Sequence, residues 1–440
     1  MVVWIFVCVK SERALIVYFK FRDANLNIIK NSYWISAERV VTVLGLIFVT
    51  SYVARYIGPE NFGKLAFSTT VFAVIQSISL LGTDSIIFKR ACDNKTSCFK
   101  LMFAVKKLRA FIHLSLSTIA LIWFYFNSDY LTFVFLLASC ISVYFITQDV
   151  LRVFNEATLN SKKNTIANLV GLVVAISLRY FIAVLSLDPA WLAAPIILIS
   201  LIPYLIRRLN YRRQHNAVII SEVQRRKYIS YALAVGLPLA ISGVSVTIYT
   251  KFSQFVLAHY CGDRELGVFS AASTIATSWV FIPLSIITSY FSIIYKEKIK
   301  GNIDRLVRQV NKITFLISLL AVIGVLLTGR EVLSFLFGNA YSSAYYTLVL
   351  LTIASLFSVM GVVSYRYIIK KSGYHYLSIK ALMVTITSVI SAFIFVPGHG
   401  NIGAAYSILL TEFASLTLFN YFFRRGEIGR MHLSIFSLNK

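Results

Sequence analysis

The stretch Tyr56-Ile57-Gly58-Pro59-Glu60-Asn61-Phe62-Gly63 has a second copy in Tyr260-Cys261-Gly262-Asp263-Arg264-Glu265-Leu266-Gly267. The tyrosine and both glycines recur at a constant offset of 204 residues. Each copy lies between two long apolar runs and is predicted to be a short turn between two helices. Glycine in such a turn allows a positive φ or the close approach of another backbone. The predicted structural residues of the two turns are Gly58, Pro59, Gly63, Gly262 and Gly267.

The two turns also predict an internal duplication. Each turn stands near the start of a set of six apolar runs, and a basic segment separates the two sets. Two similar hairpins can arise by chance, but the shared position within each set favours duplication. Parallel repeats of this kind are common in transporters, where the substrate binds between the two halves.

The composition excludes a soluble protein and a disordered one. Of the 440 residues, 58% are apolar and only 14% are charged, whereas soluble domains carry about 25% charged residues. A helical membrane span needs roughly 20 residues, so the apolar residues suffice for about a dozen spans. We therefore expect an integral membrane protein that crosses the bilayer many times.

Apolar runs interrupted by short polar clusters predict twelve transmembrane spans. All of them are predicted to be α-helical, because backbone amides in lipid need partners within their own segment. A closed barrel would instead show alternating strands of about ten residues. The approximate limits of the spans are 35–54, 65–83, 110–126, 130–151, 166–187, 190–206, 229–257, 267–294, 313–328, 345–365, 377–396 and 402–423.

The basic residues predict the orientation of these spans. Of the 43 lysines and arginines, 36 lie in alternate segments, namely 1–30, 84–109, 152–163, 207–227, 296–312, 366–380 and 424–440. The loops between those segments hold only Arg55, Lys64, Arg264 and Arg330. By the positive-inside rule the basic side is cytoplasmic, which places both termini inside.

The net charge of +25 can also indicate nucleic-acid binding. Because this charge is spread over seven loops, orientation of the chain and contact with anionic lipid headgroups explain it better. No nucleic-acid partner is predicted. The five cysteines and the single histidines lack the spacing of metal ligands, so we predict no metal, no cofactor and no catalytic residue.

The predicted organisation has four parts. Residues 1–30 form an N-terminal cytoplasmic or interfacial segment, and residues 31–206 form the first six-helix bundle. A basic cytoplasmic linker, 207–227, precedes the second six-helix bundle and a short cytoplasmic tail, 228–440. The first segment has no cleavable signal peptide by its pattern. It is either an interfacial amphipathic helix or a dispensable extension.

The first half contains Asn31-Ser-Tyr-Trp-Ile-Ser-Ala-Glu-Arg39, then Ala54-Arg-Tyr-Ile-Gly-Pro-Glu-Asn-Phe-Gly63, then Leu81-Gly-Thr-Asp84. These stretches resemble the N-terminal signature of the polysaccharide-transport exporters. That family comprises the O-antigen (Wzx-type) flippases and belongs to the superfamily of the MATE drug exporters and lipid II flippases. The motif covers about 55 residues closely, and the six-plus-six plan extends the resemblance over residues 31–440.

The resemblance implies a fold and a function. The fold is an all-α membrane protein of about 12 transmembrane helices in two six-helix bundles, arranged as a V around a cationic central cavity. The implied function is the outward flipping of an undecaprenyl-diphosphate-linked oligosaccharide, an O-antigen or capsule repeat unit, across the bacterial inner membrane. Expected partners are this lipid-linked substrate, membrane lipids, and the polymerase and chain-length machinery of the same pathway.

Three charged residues inside spans are the first candidates for the substrate's diphosphate. A charge in a span costs roughly 3 kcal/mol or more and is therefore a functional hypothesis by default. Arg39 lies at the cytoplasmic start of span 1, Arg179 lies some 13 residues into span 5, and Lys251 lies in span 7. The alternative for Arg39 and Lys251 is that each side chain extends to the membrane surface. Arg179 is harder to explain in that way.

Polar residues in the spans are candidates for contact with sugar. Thr247 and Gln254 share a helical face with Lys251, and an adjoining stripe comprises Ser242, Ser245 and Tyr249. Gln76 belongs to a polar face of span 2. Because polar side chains also join packed helices in membranes, a structural role for Gln76 stays open.

Three carboxylates are candidates for other roles. Glu38, within the resembling motif, and Glu412, near the middle of span 12, are candidates for ion coupling. A salt bridge within the second half is an equally open interpretation of Glu412. Asp149 and Arg152, three residues apart at the end of span 4, are predicted to form a local ion pair.

Two other functions compete with flipping. A membrane glycan polymerase would carry a long exterior loop with catalytic groups, but the stretch 329–344 has only Arg330 and Glu331 as charges. A MATE-like antiporter of drugs or other small molecules is harder to exclude. Its cavity would be richer in acidic residues, because its substrates are organic cations.

Overall fold

A computed structural model describes residues 47–214, 221–295 and 297–433, together with Glu38, residues 41–43 and Gly45. The described residues are almost entirely α-helical, and no strand occurs among them. The all-α prediction is therefore confirmed. The predicted N-terminal segment, 1–30, lies outside the described residues.

The first half contains seven helices. They are α1 (Val41–Leu80), α2 (Thr83–Asp93), α3 (Lys95–Asn127), α4 (Tyr130–Gln148), α5 (Val150–Ala157), α6 (Ser161–Val184) and α7 (Ala193–Gln214). A 3-10 turn, Pro189–Leu192, leads into α7, and the Asp188 carboxylate accepts a hydrogen bond from the backbone N–H of Ala190 there (2.7 Å). Such a side-chain acceptor satisfies an N–H group that has no partner within the helix.

The second half also contains seven helices. They are α8 (Glu222–Ser278), α9 (Phe281–Ile294), α10 (Lys300–Phe337), α11 (Tyr345–Lys370), α12 (Tyr374–Leu416), α13 (Leu418–Tyr421) and α14 (Glu427–Leu433). Two 3-10 turns, Asn339–Ala344 and Phe423–Arg425, connect parts of this half. The hydroxyl of Ser221 begins α8 by accepting a hydrogen bond from the Gln224 N–H (3.3 Å).

Three long helices are each interrupted at one glycine with a positive φ. These are Gly58 in α1 (73°), Gly262 in α8 (82°) and Gly400 in α12 (55°). The predicted positive φ of the two turn glycines is confirmed. Within α12 the hydroxyls of Ser391 and Ser407 lie 2.8 Å apart, so the chain reverses at Gly400.

Nine helices within the described ranges are long and apolar enough to cross a membrane. The glycine interruptions divide three of these nine into two apolar segments each. Large apolar side chains also lie exposed on the outside of the protein, such as Trp123 at 65% and Phe111 at 71%. Such exposure is typical of a surface that faces lipid. The chain is a multi-pass membrane protein, and the number of twelve spans stays a prediction.

The two halves meet at the end that the predicted topology places outside the cell, called here the exterior end. One cluster of buried apolar side chains includes Phe62 from the first half and Phe337 and Tyr341 from the second. The Tyr341 hydroxyl donates a hydrogen bond to the Ala54 carbonyl (2.9 Å). The Arg55 guanidinium donates to the carbonyl of Ser334 near the end of α10 (2.9 Å). Apolar burial and helix capping thus close this end.

The repeated turns contact each other directly within this closure. A Cβ atom added at Gly63 would lie 1.8 Å from the carbonyl oxygen of Asp263. A Cβ atom added at Gly267 would lie 1.9 Å from the carbonyl oxygen of Pro59. Pro59 and Asp263 are equivalent positions at the offset of 204, as are the two glycines, so the contact is reciprocal. The predicted close approach is therefore confirmed at Gly63 and Gly267.

The opposite end, called here the cytoplasmic end, joins the halves differently. The first turns of α8 pack against α2 and α3 of the first half, and Ala232 is fully buried in a cluster with residues of both helices. The hydroxyls of Tyr228 and Ser97 lie 3.3 Å apart. A Cβ atom added at Gly236 would lie 2.5 Å from the Leu81 carbonyl oxygen. One helix of the second half makes these contacts.

Buried ion pairs join the helices of the first half near this end. Arg109 is 1% exposed and donates hydrogen bonds to the Thr83 hydroxyl (2.6 Å) and to Asp84 (2.7 Å). Arg152 pairs with the other carboxylate oxygen of Asp84 (3.1 Å). A buried cation is tolerated when it is paired and hydrogen-bonded in this way.

A second pair lies beside the first. Arg207 Nε donates to the Asp149 carboxylate (2.7 Å), and the same guanidinium donates to the side-chain oxygen of Asn168 (2.8 Å). The predicted ion pair between Asp149 and Arg152 is wrong. Asp149 caps α5 by accepting a hydrogen bond from the backbone N–H of Arg152 (3.4 Å), and its charge is paired with Arg207 of α7. Together the two pairs connect α2, α3, α5, α6 and α7.

Candidate functional site

A cavity of about 370 Å³ lies between the two halves. It adjoins the exterior closure, because Phe62 borders both. The first half supplies its wall from α1, α4, α6 and α7, and the second half supplies α8. The lining residues are Thr50, Val53, Phe62, Leu65, Ala66, Thr69, Ser142, Arg179, Leu192, Ile196, Ile199, Lys251, Gln254, Ser270, Ser273 and Thr274.

Two of the predicted cationic residues, Arg179 and Lys251, line this cavity. They come from opposite halves, Arg179 from α6 and Lys251 from α8, and both side chains are half-buried. Neither forms an ion pair with a carboxylate of the described residues, and no acidic residue is part of the cavity wall. The cavity therefore presents two positive charges that the surrounding described residues leave uncompensated.

A hydrogen-bonded group connects one of these cations to the first half. The Thr70 hydroxyl donates to Gln254 Oε1 (2.7 Å), and the Lys251 amino group donates to the same oxygen (3.5 Å). Thr70 is 1% exposed and Gln254 is 8% exposed. A buried hydrogen bond thus joins α1 to α8 beside the cavity, and it involves a residue that the sequence predicted for the cavity, Gln254.

Hydroxyl groups make up much of the remaining polar wall, and sequence reasoning missed them except for Thr69, which shares the predicted polar face of span 2 with Gln76. The repeat could have identified several of them, because equivalent positions at the offset of 204 both line the cavity. The equivalent pairs are Thr50 with Gln254, Ala66 with Ser270, and Thr69 with Ser273. Arg179 and Lys251 are aligned with Met383 and Ile47, so the positive charges do not follow the repeat.

Three other polar candidates of α8, namely Ser245, Thr247 and Tyr249, are not part of this wall. The backbone carbonyls of Ser245 and Tyr249 accept hydrogen bonds from α12, from the hydroxyls of Thr385 (3.2 Å) and Ser388 (2.9 Å). The Thr247 hydroxyl bonds to a carbonyl of its own helix (3.0 Å). The side chain of Ser242 is outside the described part of the protein. Gln76 of α1 is half-buried and is not part of the wall.

The two candidate coupling carboxylates occupy different places. The Glu38 carboxylate accepts a hydrogen bond from the Asn168 side chain (2.6 Å), which also bonds to Arg207. Glu38 therefore belongs to the charged cluster at the cytoplasmic end. Its neighbour Arg39 lies outside the described residues.

Glu412 of α12 lies away from the cavity wall. Its carboxylate lies near the Ser358 hydroxyl and interacts electrostatically with Lys380. The amino group of Lys380 donates to the Asn420 side chain (2.8 Å). The structure thus places Glu412 in a polar group within the second half. Within the described residues, no group of three or more histidine, cysteine or acidic side chains has the arrangement of a metal site.

Comparison with known sequences identifies relatives in polysaccharide biosynthesis. A family model described as polysaccharide biosynthesis protein matches residues 28–296. The capsular polysaccharide biosynthesis protein CapF of Staphylococcus aureus is 27% identical over 198 residues. That match covers 43% of this chain and 48% of CapF, so it spans about half the length of this relative. These matches confirm the resemblance to the polysaccharide-transport exporters.

Comparison with solved structures establishes the fold. The lipid II flippase MurJ in an inward closed conformation superposes with a TM-score of 0.71 at 14% identity, over 92% of this chain and 90% of MurJ. An inward-facing multidrug resistance MATE transporter gives 0.68 at 16% identity, over 90% and 98%. A transporter from Pyrococcus furiosus, described as having a binding pocket of reverse polarity, gives 0.63 at 17% identity, over 91% and 96%. The predicted MATE-like helical architecture is confirmed.

Proposed function

This chain belongs to the polysaccharide biosynthesis protein family, and on that premise we propose that it is a flippase for a lipid-linked oligosaccharide. The proposed substrate is an O-antigen or capsule repeat unit on undecaprenyl diphosphate. Transport runs from the cytoplasmic to the periplasmic leaflet of the bacterial inner membrane by alternating access. Both termini lie in the cytoplasm in this proposal, and the polymerase and chain-length machinery of the pathway take the product.

The single observation that supports this substrate is the pair of uncompensated cations in the central cavity. Arg179 and Lys251 approach from opposite halves, and the described residues of the wall include no carboxylate. A diphosphate offers oxygens to both, and guanidinium matches phosphate oxygens with two parallel hydrogen bonds. Anchoring each end of the diphosphate to a different half couples binding to the relative position of the halves. Release follows when the halves separate.

The hydroxyls around the cations suit the sugar next to the diphosphate. At about 370 Å³ the cavity is near the lower end of the range for ligand pockets, about 300–1,000 Å³. This volume accommodates a diphosphate and its nearest sugar better than a repeat unit of several sugars. The cavity must therefore widen during transport, and separation of the halves supplies that widening.

The membrane potential supplies a driving force in the proposed direction. An inside-negative potential favours outward movement of an anion by about 2.3 kcal/mol per charge per 100 mV. At 100 mV, outward movement of a diphosphate with two uncompensated charges would gain about 4–5 kcal/mol. Coupling to protons through Glu412 is a secondary part of the proposal. If Glu412→Gln leaves both transport and its pH dependence unchanged, the carboxylate has no coupling role.

The test uses a bacterial strain that lacks its own flippase and makes a compatible repeat unit. Complementation by this chain should restore long-chain polysaccharide in stained glycan ladders. Arg179→Gln and Lys251→Gln should each lower transport by about 10- to 100-fold, because each removes a charged hydrogen bond. Membrane levels should stay unchanged, and lipid-linked single repeat units should accumulate.

The matched control is Lys107→Gln, which removes one positive charge from an exposed side chain outside the cavity. Full transport by both cavity variants would remove these residues from the substrate path. Unchanged glycan together with altered drug tolerance would favour the antiporter. Shortened glycan with normal flipping of single units would favour the polymerase.

A further inference from the structure

A second cavity, of about 520 Å³, lies where three parts of the second half converge. These parts are the start of α10, the end of α11 and the C-terminal segment that contains α14, and all three are predicted to be cytoplasmic. No residue of the central cavity contributes to it. The lining residues are Lys300, Asp304, Val307, Arg308, Tyr367, Lys371, Arg424, Glu427, Arg430 and Met431.

The lining of this cytoplasmic cavity is strongly basic, with five basic side chains against two acidic ones. One of the acids already has partners. Glu427 accepts a hydrogen bond from the Tyr367 hydroxyl (2.8 Å), and its carboxylate lies 3.5 Å from the Lys371 amino group. Lys300, Arg308 and Arg430 have no ion pair within the described ranges. The cavity is thus positive beyond what its own carboxylates neutralise.

One cation has an unsatisfied donor. The Nε of Arg308 is buried, and no hydrogen-bond acceptor among the described residues reaches it. A buried donor without a partner is unfavourable, and more so when it carries a charge. An anion bound in the cavity would satisfy this donor.

The backbone beside the cavity is strained at two consecutive basic residues. Arg424 and Arg425 have φ values of 44° and 55°, and Gly426 follows with 87°. The left-handed region is unfavourable for arginine, and such residues occur preferentially at ligand sites. The Arg424 guanidinium donates to the Lys371 carbonyl (3.1 Å), which holds it at the cavity against the end of α11. The strained turn therefore presents a fixed cation to the cavity.

Exposed apolar side chains adjoin these basic residues in the chain. Ile299 precedes Lys300 and is 64% exposed. Phe422 lies two residues before Arg424 and is 73% exposed, and Leu433 at the end of α14 is 72% exposed. Basic groups beside exposed apolar ones are typical of segments that lie in the headgroup region of a bilayer. This arrangement favours a ligand within the membrane surface over one in the cytosol.

We propose that the cytoplasmic cavity binds the phosphate of an anionic phospholipid headgroup in the inner leaflet. The phosphate lies among Arg308, Arg424 and Arg430, and the acyl chains lie along the exposed apolar side chains. The bound lipid connects α10, α11 and the C-terminal segment. This site does not depend on the proposed transport function.

The test measures thermal unfolding of the purified full chain in detergent during titration with phosphatidylglycerol. Phosphatidylcholine and inorganic phosphate, at equal phosphorus concentrations, are the comparison ligands. We expect a saturable rise in Tm with phosphatidylglycerol alone. The double variant Arg308→Gln/Arg430→Gln should raise the half-saturating concentration about 10-fold or more, because each basic residue near an anionic headgroup contributes a factor of about five.

The matched control is Arg305→Gln/Arg425→Gln. It removes the same charge from the same two segments, but neither residue lines the cavity. The control should change half-saturation by less than about twofold. Equal weakening in both doubles would overturn the proposal, since it would show a diffuse basic surface. An equal response to inorganic phosphate would overturn the assignment to a lipid. If the test double does not fold, Arg430→Gln alone serves, because its side chain is exposed, with an expected change of about fivefold.

Discussion

At the exterior end the two halves meet through residues that are equivalent at the offset of 204, whereas at the cytoplasmic end the described contacts run from α8 to α2 and α3. Gly63 packs against the turn that contains Gly267, and Gly267 packs against the turn that contains Gly63. At the cytoplasmic end, Gly236 of α8 packs against Leu81 of the first half. The position equivalent to Gly236, Ser32, lies outside the described residues. Among the described residues, the exterior end therefore holds a reciprocal contact. The two copies of that contact must separate together when the exterior end opens.

The two ends also differ in the apolar contacts that they bury. The exterior closure adds the apolar contacts of Phe62 with Phe337 and Tyr341, whose ring centroids lie 6.3 Å from that of Phe62 in both cases. In the described cluster at the cytoplasmic end, the second half contributes residues of α8. The structure is thus closed most extensively at the exterior, and opening that end is the larger step of a transport cycle.

The largest expected effect comes from adding a methyl group to the reciprocal contact. Gly63→Ala or Gly267→Ala places a carbon within 2 Å of a carbonyl oxygen of the other half. Overpacking of this kind costs about 1–3 kcal/mol, which shifts the ratio of closed to open protein by about 5- to 150-fold. The measurement is the labelling rate of a cysteine at Ser273 by a membrane-impermeant maleimide from the exterior. The native cysteines are replaced beforehand.

Alanine variants of two other glycines distinguish the effect of a steric contact from the effect of backbone strain in this experiment. Gly324→Ala adds a methyl group with no atom within 4 Å and should leave labelling unchanged. Gly58→Ala meets no atom within 4 Å but forces alanine to a φ of 73°. This variant should lower the free energy of unfolding, but it should not specifically increase the rate of labelling from the exterior. Unchanged labelling in both Gly63→Ala and Gly267→Ala would show that the reciprocal contact does not hold the exterior end closed.

An intermediate effect is expected at the cytoplasmic end. Gly236→Ala places a methyl group 2.5 Å from the Leu81 carbonyl oxygen. Because a single helix can shift to relieve this contact, we expect a cost near 1 kcal/mol and an approximately fivefold faster labelling from the cytoplasmic side. This labelling rate is measured in inside-out vesicles, which expose the cytoplasmic side to the reagent. Gly243→Ala on the same helix, where the nearest atom is the Ser77 hydroxyl at 3.9 Å, is the control. A response from the exterior side instead would contradict the assignment of the two ends.

The smallest effect concerns the hydrogen bond between the halves beside the cavity. Thr70→Val keeps the shape of the side chain but removes the donor to Gln254. A net loss of about 1 kcal/mol predicts a change of about fivefold or less in labelling from either side. Thr352→Val is the matched control, because the buried Thr352 hydroxyl bonds only to a carbonyl within its own helix (2.7 Å). Equal effects of the two variants would show that Thr70 contributes to local stability and not to the connection between the halves.

The sequence predicted those features that a single segment determines. The positive φ at Gly58 and Gly262 follows from short turns between long apolar runs. Arg179 and Lys251 were found because a charge inside an apolar run is visible without knowledge of its neighbours. The reciprocal partner of each glycine was not predictable in this way. It depends on how the two halves rotate relative to each other.

Features that join distant segments were missed or predicted wrongly. Spacing suggested that Arg152 pairs with Asp149, but the actual partner of Asp149 is Arg207, 58 residues away. Helical periodicity predicted a polar stripe of α8 that includes Ser245 and Tyr249. It gave no information about which neighbour covers that stripe, and α12 does so. Long-range packing decides these contacts, so local pattern does not contain them.

The ion pairs of the first half have a consequence for biosynthesis. Every described partner in that cluster, from Glu38 to Arg207, precedes α8. Arg207 near the end of α7 supplies the last of them. Once that residue has left the ribosome, all the described partners of this charged cluster are present. The cluster can therefore form in the membrane before α8 has left the ribosome.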